Sequence, residues 1–328
     1  MFVEVDAAYA LGQSALRSLG LAKDEAAVTT HHLVDCELRG LSYSGLARIL
    51  SIQERLQDQG TPVQEITITK ESPVSAQIDG GDKLGYVVAR RAVEVVIEKA
   101  STVGMAVVGA NNTWYTGMLS YYAEMITAKG LVAMIASNAT PWVAPYGGTE
   151  GRFGTNPFCF GFPSQATPVI WDIGISDIIH AQAVLAARTG QKLPPGVAYD
   201  HLGNPTEDPV EALGGAFTSW GGHKGSGLGI CVQLLGVLAG SPISPLPLRD
   251  FGFFVFAMRP DLLGAGDGFA ASVSEFGEAI RSTRRLNETI PVRMPFEGSD
   301  ARRKKNLSAG GFDIDAAILE AVTALARK

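Results

Sequence analysis

The chain has 328 residues, enough for a large core and about two domains at roughly 150 residues each. Its 46% hydrophobic and 18% charged residues give a globular composition and exclude disordered or fibrous classes. The net charge of −6, from 27 basic and 33 acidic side chains, gives no general attraction to nucleic acid or anionic membrane.

Helices are expected over residues 5–59, where apolar side chains recur with helical period at Leu11, Ala15, Leu16 and Leu19, then Leu33 and Leu38, then Leu46, Ile49 and Leu50. The opening stretch has early acids and no basic segment before an apolar one, so it does not read as a signal peptide. Residues 64–68 alternate like an edge strand, 76–79 follow as a second strand, and 86–102 read as a helix. Short apolar runs at 106–108 and 132–136 flank a helix at 120–129. From 138 to 161 glycine, proline and asparagine dominate, which marks an ordered loop system and a common place for a site. Residues 168–172 read as a strand ending in an acid, and 193–215 as a loop. The apolar run at 227–239 is interrupted by Gln233 and glycines and is too short to span a bilayer. Phe251–Met258 looks like a buried strand and 272–283 like a late helix. The two ends look more helical than the middle. A mainly helical domain of 1–70 plus about 270–328 is therefore expected to pack on an α/β domain of about 71–269. Cys36, Cys159 and Cys231 are far apart and read as reduced thiols, and the expected compartment is the cytoplasm.

Neither a GxGxxG fingerprint after a strand nor a P-loop is present. Gly221-Gly222-His223-Lys224-Gly225 enters a helix and reads two ways. Open glycine backbone, free N–H groups and the Lys224 charge would cradle a phosphate, or the segment is a glycine-rich helix entry with a solvated lysine. The segment from Arg39 to Arg48, RGLSYSGLAR, also reads two ways. Arg48 could grip a carboxylate with two parallel hydrogen bonds while Tyr43 or Ser44 donates a proton, or the segment is a helix junction with capping serines. Among the five histidines, His31 and His32 read as structural or solvated and His201 as a loop residue; His180 and His223 are better placed for a site. No pair has convincing metal-ligand spacing, and no metal is expected. The basic string at 293–305 is either a solvated surface run or, with NADP, a source of partners for the 2′-phosphate in Ser299, Arg302 and Arg303.

In order along the chain stand the RG…SG..R segment, Asn112-Thr113, SNATPWVAPYGG, Gly154-Thr155-Asn156-Pro157, Asp172, Leu193-Pro194, Asp200…Gly203 and His223-Lys224-Gly225. Together they resemble the type 2 malate/L-lactate dehydrogenase family over nearly the whole length. The resemblance implies an α/β fold whose non-Rossmann NAD(P)-binding domain has a largely antiparallel sheet, packed with a helical N- and C-terminal domain. It implies a homodimer that acts on a small carboxylate substrate, with no nucleic-acid or membrane partner. Implied cofactor contacts are Tyr115, Thr116 and Gly117, then Pro168, Val169, Ile170, Trp171, Asp172, Ile173 and Gly174. Further implied contacts are His223 and Lys224, and near the end Phe296, Glu297, Ser299, Arg302 and Arg303. Substrate contacts are implied at Arg48, Thr155 and His180. The ArgArgLysLys run leans toward NADP, with NAD as the alternative.

The chain departs from the family pattern where proton transfer is concerned. The family segment reads RGxxSHGxxR, with the histidine as proton donor; here those two positions are Tyr43 and Ser44. Tyr115 stands in place of a second family histidine, and Gln182 where the imine reductases of the family carry an acid. A ketone reductase gains about 10²–10⁴-fold from a general acid. Tyr43, Ser44 and Tyr115 are thus the expected catalytic residues, a tyrosine pKa falling from about 10 near a positive charge. A cyclic imine bound as an iminium would need no such acid. The expected function is NAD(P)H-dependent reduction of a small 2-imino or 2-oxo acid, pyrroline- or piperideine-2-carboxylate favoured. The alternatives are a 2-hydroxy acid dehydrogenase and a non-catalytic NAD(P)-binding protein.

Overall fold

The computed structural model describes residues 1–327. Its elements begin with β1 (Phe2–Glu4), α1 (Val5–Ser18), α2 (Lys23–Leu38), α3 (Arg48–Gln59), β2 (Thr67–Ser72), β3 (Ser75–Leu84), α4 (Gly85–Val103) and β4 (Met105–Trp114). Then come α5 (Leu119–Thr127), β5 (Val132–Ser137), β6 (Phe158–Phe162), β7 (Val169–Ile173), α6 (His180–Thr189), β8 (Ala198–Tyr199), α7 (Pro209–Gly214) and β9 (Ala216–Phe217). The last are α8 (His223–Leu238), β10 (Phe251–Met258), α9 (Phe269–Arg281), α10 (Glu297–Ser308), β11 (Gly311–Asp313) and α11 (Ala316–Ala326).

A seven-stranded sheet in the order β2-β3-β4-β10-β5-β6-β7 organises the molecule. Only β3 and β4 pair in parallel; the other five pairs are antiparallel, so the sheet is mixed and mostly antiparallel. Strand β10 enters late in the chain yet lies at the centre, between β4 and β5. Its unbroken apolar run follows from that position, because both its faces are covered. Phe253, Val255 and Ala257 join the core shared with α4 and α5, while Phe254 faces the cluster built on Val232 of α8.

A second core packs α1, α2, α3 and α11 through Leu16, Leu33, Ile49, Ile52, Ile318 and Val322. Strands β1 and β11 pair there, tying the two chain ends together. A third, smaller core gathers Val143, Phe153 and Phe217 with α6 and α7.

Several expectations from sequence need correction. FCFGF forms β6 inside the stretch read as loop, because its register opposite β5 supplies the hydrogen bonds that local glycines conceal. Residues 193–215 contain β8 and α7, the latter capped by the Asp208 side chain. The edge strand expected at 64–68 is present as β2, with its bounds shifted to Thr67–Ser72, and pairs with β3. The basic string falls largely in α10, where Arg303 is held by ion pairs while Arg302, Lys304 and Lys305 stay exposed. Among the described residues, no helix is long and apolar enough to cross a membrane.

That anchorage is a buried charge network joining α2, α5 and α10. Arg39, 1% exposed, donates from Nε to Asp35 Oδ2 and from Nη2 to Glu124 Oε2, both at 2.7 Å. Arg303 donates to Glu124 Oε1 at 2.5 Å and to Asp300 Oδ1 at 2.9 Å. The network fixes one wall of the cleft described next, because Phe296 at the start of α10 lies under the Arg39 guanidinium, 4.7 Å from its ring centre.

Candidate active site

A cavity of about 430 Å³ opens where the 39–48 segment, the turn before α5, the end of β7, the start of α6 and the start of α10 meet. That volume lies within the range of small-molecule and cofactor sites. At its inner end sits Arg48, the first residue of α3 and only 5% exposed. The Arg48 Cζ stands 3.9 Å from the centre of the Tyr115 ring. Its Nη1 donates to Ser51 Oγ at a long 3.5 Å, and the Tyr86 and Tyr115 hydroxyl oxygens lie beside the guanidinium. Among the described residues no carboxylate forms an ion pair with it. Burial pulls the Arg48 pKa down, but the Tyr115 and Tyr86 oxygens outweigh burial and hold it above its ordinary value. A buried guanidinium without a carboxylate is poised for an anion from solution.

The turn before α5 is held in a strained shape. Tyr115 has φ 55, a left-handed conformation that is an outlier for an aromatic residue. Gly117 has φ 76, and a Cβ there would fall 2.5 Å from His32 Nε2 and from Tyr86 Cε1. His32 Nε2 accepts from the Met118 backbone N–H at 2.9 Å, and burial pulls its pKa down to about 3. His32 is therefore a structural, neutral histidine. Asp172 Oδ2 accepts from Ser120 N–H at 2.7 Å, which ties the end of β7 to the start of α5. Burial raises the Asp172 pKa, and the Ser120 hydrogen bonds oppose that rise.

Most of the residues singled out from sequence meet here. Tyr43, Ser44, Arg48, Tyr115, Thr155 and His180 line the inner part; Thr116, Gly117, Ile170, Trp171, Asp172 and Gly174 line the flank; Phe296 and Ser299 form the rim. Burial pushes the Tyr43 hydroxyl up to about 12, against the expectation that a nearby cation would lower it. His180 opens α6, and its ring is stacked on Trp142 at 3.8 Å between centres and 17° between planes. Burial, then the Arg48 and Arg188 charges, pull its pKa down to about 3, so the imidazole is neutral at pH 7.

Other expected contacts do not line the cavity. Ile170, Trp171 and Asp172 of β7 line it while Val169 and Ile173 do not, and Pro168 precedes the strand. Glu297 accepts from Arg281 and from the Met294 N–H, and Arg303 is taken up by Glu124, Asp35 and Asp300. Arg302, in contrast, is exposed, forms no ion pair among the described residues, and lies across Gly40 behind the rim. Gln182 accepts from the Ile179 N–H at 2.9 Å and caps its own helix. His223 and Lys224 do open α8 as expected, but they are exposed, with His223 edge-on to Tyr146, and they do not share a cavity with Arg48. At this helix entry Gly225 lies against the Trp220 carbonyl and Gly229 against Phe153 and Ile175.

Trp142, Phe251, Tyr86, Ser137 and Met118 also line the cavity and were missed from sequence. Trp142 carried a signal, as the single tryptophan in a loop dense in proline and glycine.

A nicotinamide cofactor fits these residues. The flank by Ile170, Met118 and Phe251 offers an apolar slot for a planar ring, Trp171 is 37% exposed at β7, and Arg302 lies free behind the rim. The same cavity holds the Arg48 guanidinium, which has no carboxylate partner among the described residues.

Comparison with known proteins gives the family. The family model for malate/L-lactate dehydrogenase matches residues 3–323. The chain is 30% identical over 309 residues to L-sulfolactate dehydrogenase of Methanocaldococcus jannaschii, covering 92% of this chain and 89% of that protein. A solved dehydrogenase structure from Sinorhizobium meliloti superimposes with a TM-score of 0.91 at 30% identity, over 99% of this chain and 98% of that one. The structure of delta1-piperideine-2-carboxylate reductase from Pseudomonas syringae gives 0.84 at 26% identity, over 99% of each chain. The chain belongs to the malate/L-lactate dehydrogenase family and is a nicotinamide-dependent oxidoreductase.

Proposed function

We propose that this enzyme interconverts a small 2-hydroxy acid and its 2-oxo acid with NADP(H), and that Arg48 grips the substrate carboxylate. The carrying observation is the Arg48 guanidinium, 5% exposed and without a carboxylate partner, at the inner end of the cavity. The bound nicotinamide supplies or accepts the hydride. The chain's own residues supply the rest: Arg48 orients the acid, Tyr115 and Trp142 wall off water, and Thr155 offers a hydroxyl. The dinucleotide lies along the flank formed by β7 and the turn before α5 of a mostly antiparallel sheet, rather than in a Rossmann crevice. NADP is favoured over NAD because Arg302 is free to meet a 2′-phosphate, with Ser299 on the same helix.

The test is initial-rate kinetics with NADPH and NADH against pyruvate, oxaloacetate, 3-sulfopyruvate and the cyclic imines. Turnover of one or more oxo acids, with the lower KM for NADPH, is the expected result. Activity confined to the imines would reject this reading in favour of a cyclic-imine reductase. That second reading is supported by the replacement of both family histidines, at Ser44 and Tyr115, and by the likeness to the piperideine-2-carboxylate reductase. The hydroxy-acid reading is preferred because an imidazole, that of His180, lines the cavity with Arg48 and is available to carry a proton.

A homodimer is part of the proposal. Ile230, Leu234 and Leu238 form an apolar stripe at helical spacing on α8, 48%, 54% and 72% exposed, continued by Ile243 and Leu246. Sedimentation of Leu234→Lys beside the wild type tests it; equal monomer masses for both would overturn it. All three cysteines are free, which fits the cytoplasm.

A further inference from the structure

A 2-hydroxy acid carries its reacting oxygen on the carbon next to the carboxylate. A proton carrier must therefore stand beside the group that holds the carboxylate, here Arg48. The family's histidine position is Ser44, whose hydroxyl is too weak an acid to serve alone. Tyr43 is pushed up to about 12 by burial. Tyr115 lays its ring face against the Arg48 guanidinium, and Asp172 is bound to the Ser120 N–H. Among the residues that line the cavity one is a histidine.

That residue is His180. It lines the cavity with Arg48 and lies close enough for the Arg48 charge to act on it. The stack on Trp142 fixes its ring plane. Neither ring nitrogen makes a hydrogen bond with the described residues, and neither is among the sealed, unsatisfied atoms, so both are open to the cavity. It opens α6, whereas the family's histidines sit in the 39–48 segment and the turn before α5. Resting on the reading of Arg48 as the carboxylate clamp, we propose that the His180 imidazole is the group that takes and returns the proton of the substrate's C2 oxygen.

The step balances without further reagents. During oxidation the neutral imidazole takes the hydroxyl proton, and the O–H electron pair becomes the second C–O bond. The C2–H bond breaks and its electron pair leaves as hydride to the oxidised nicotinamide. In reduction the imidazolium returns the proton to the oxygen as hydride reaches C2. A bound carboxylate also tunes the histidine. Of the two cations that hold its pKa down, Arg188 is already paired with Glu54, at 2.8 Å, while Arg48 has no such partner. An anion on Arg48 cancels the open charge and lets His180 bind a proton more readily.

The experiment is an NMR titration of histidine-labelled protein with and without oxamate, an inert 2-oxo acid analogue. His180→Asn assigns the signal. In the free protein the His180 ring is expected to stay neutral well below pH 6, and with oxamate its midpoint should rise. Alongside, His180→Asn and His180→Gln should each lower kcat about 10²–10⁴-fold, with NADPH affinity by fluorescence unchanged. Oxamate binding with an unmoved midpoint, or kcat within about twofold of wild type in both variants, overturns the His180 assignment alone. If oxamate does not bind at all, the clamp reading beneath it falls, and the proposal with it.

Discussion

Two arginines of nearly equal burial lead opposite lives in this fold. Arg39, 1% exposed, meets Asp35 and Glu124 at 2.7 Å each and shares them with Arg303. Arg48, 5% exposed, meets an aromatic ring, one serine hydroxyl and the oxygens of Tyr86 and Tyr115, all neutral partners. Taking a guanidinium out of water costs several kcal/mol, which carboxylate partners offset only where geometry is good. In the Arg39 network the compensation is internal and pins α10 on α2 and α5. At Arg48 it comes from neutral oxygens and a ring face, so the guanidinium has no counter-charge, which is the place proposed for the substrate anion. Partner inventory, more than burial, separates a structural arginine from a functional one.

The largest expected contrast comes from removing each cation in turn. Arg48→Met should lower kcat/KM for the acid substrate by about 10²–10³-fold while leaving Tm unchanged or raised, since an unpaired buried charge is replaced by an apolar chain. Arg39→Met should do the reverse. It leaves Asp35 and Glu124 to Arg303 alone and is expected to lower stability by up to about 3 kcal/mol in denaturant unfolding, with kcat held in the molecules that remain folded. Equal effects of the two substitutions on Tm would erase the distinction. Smaller is Arg302→Ala, expected to raise KM for NADPH about tenfold and leave NADH untouched, as for one charged hydrogen bond.

The smallest effect concerns a buried carboxylate rather than a cation. Glu37, 4% exposed, accepts from Leu46 N–H at 2.8 Å, and burial pushes its pKa up to about 7 against that hydrogen bond. Its folded pKa lies above its unfolded value, so its stabilising contribution is full below the unfolded value and is lost as pH rises through about 7. Glu37→Gln should therefore flatten the stability loss between about pH 4.5 and 7, read as Tm against pH. His32 and His180 act with opposite sign. Both stay neutral in the fold down to about pH 3, so stability falls as pH drops below their unfolded value of 6.5.

The sequence revealed the parts of this design that local pattern encodes. Phe251–Met258 and α4 announced themselves through apolar runs and helical period. Arg48, Tyr115 and the end of β7 were legible through the family segments they occupy. What stayed hidden depends on pairing at long range. Strand β6 sits among prolines and glycines and is defined by β5 and β7 on either side. The placement of β10 between β4 and β5 has no local signature. His180 was visible as a candidate, but only the stack on Trp142, 38 positions earlier (180 − 142), shows how the fold holds it. The surroundings of Lys224 were hidden for the same reason. A glycine-rich helix entry is readable from sequence, whereas the packing of Gly225 and Gly229 is not.

The most direct test of the account compares kcat/KM for a 2-oxo acid and for its neutral amide, in the wild type and in Arg48→Met. The account predicts a loss of about 10²-fold or more for the amide in the wild type, and near equality of the two substrates in the variant. Equal rates for acid and amide in the wild type would contradict it.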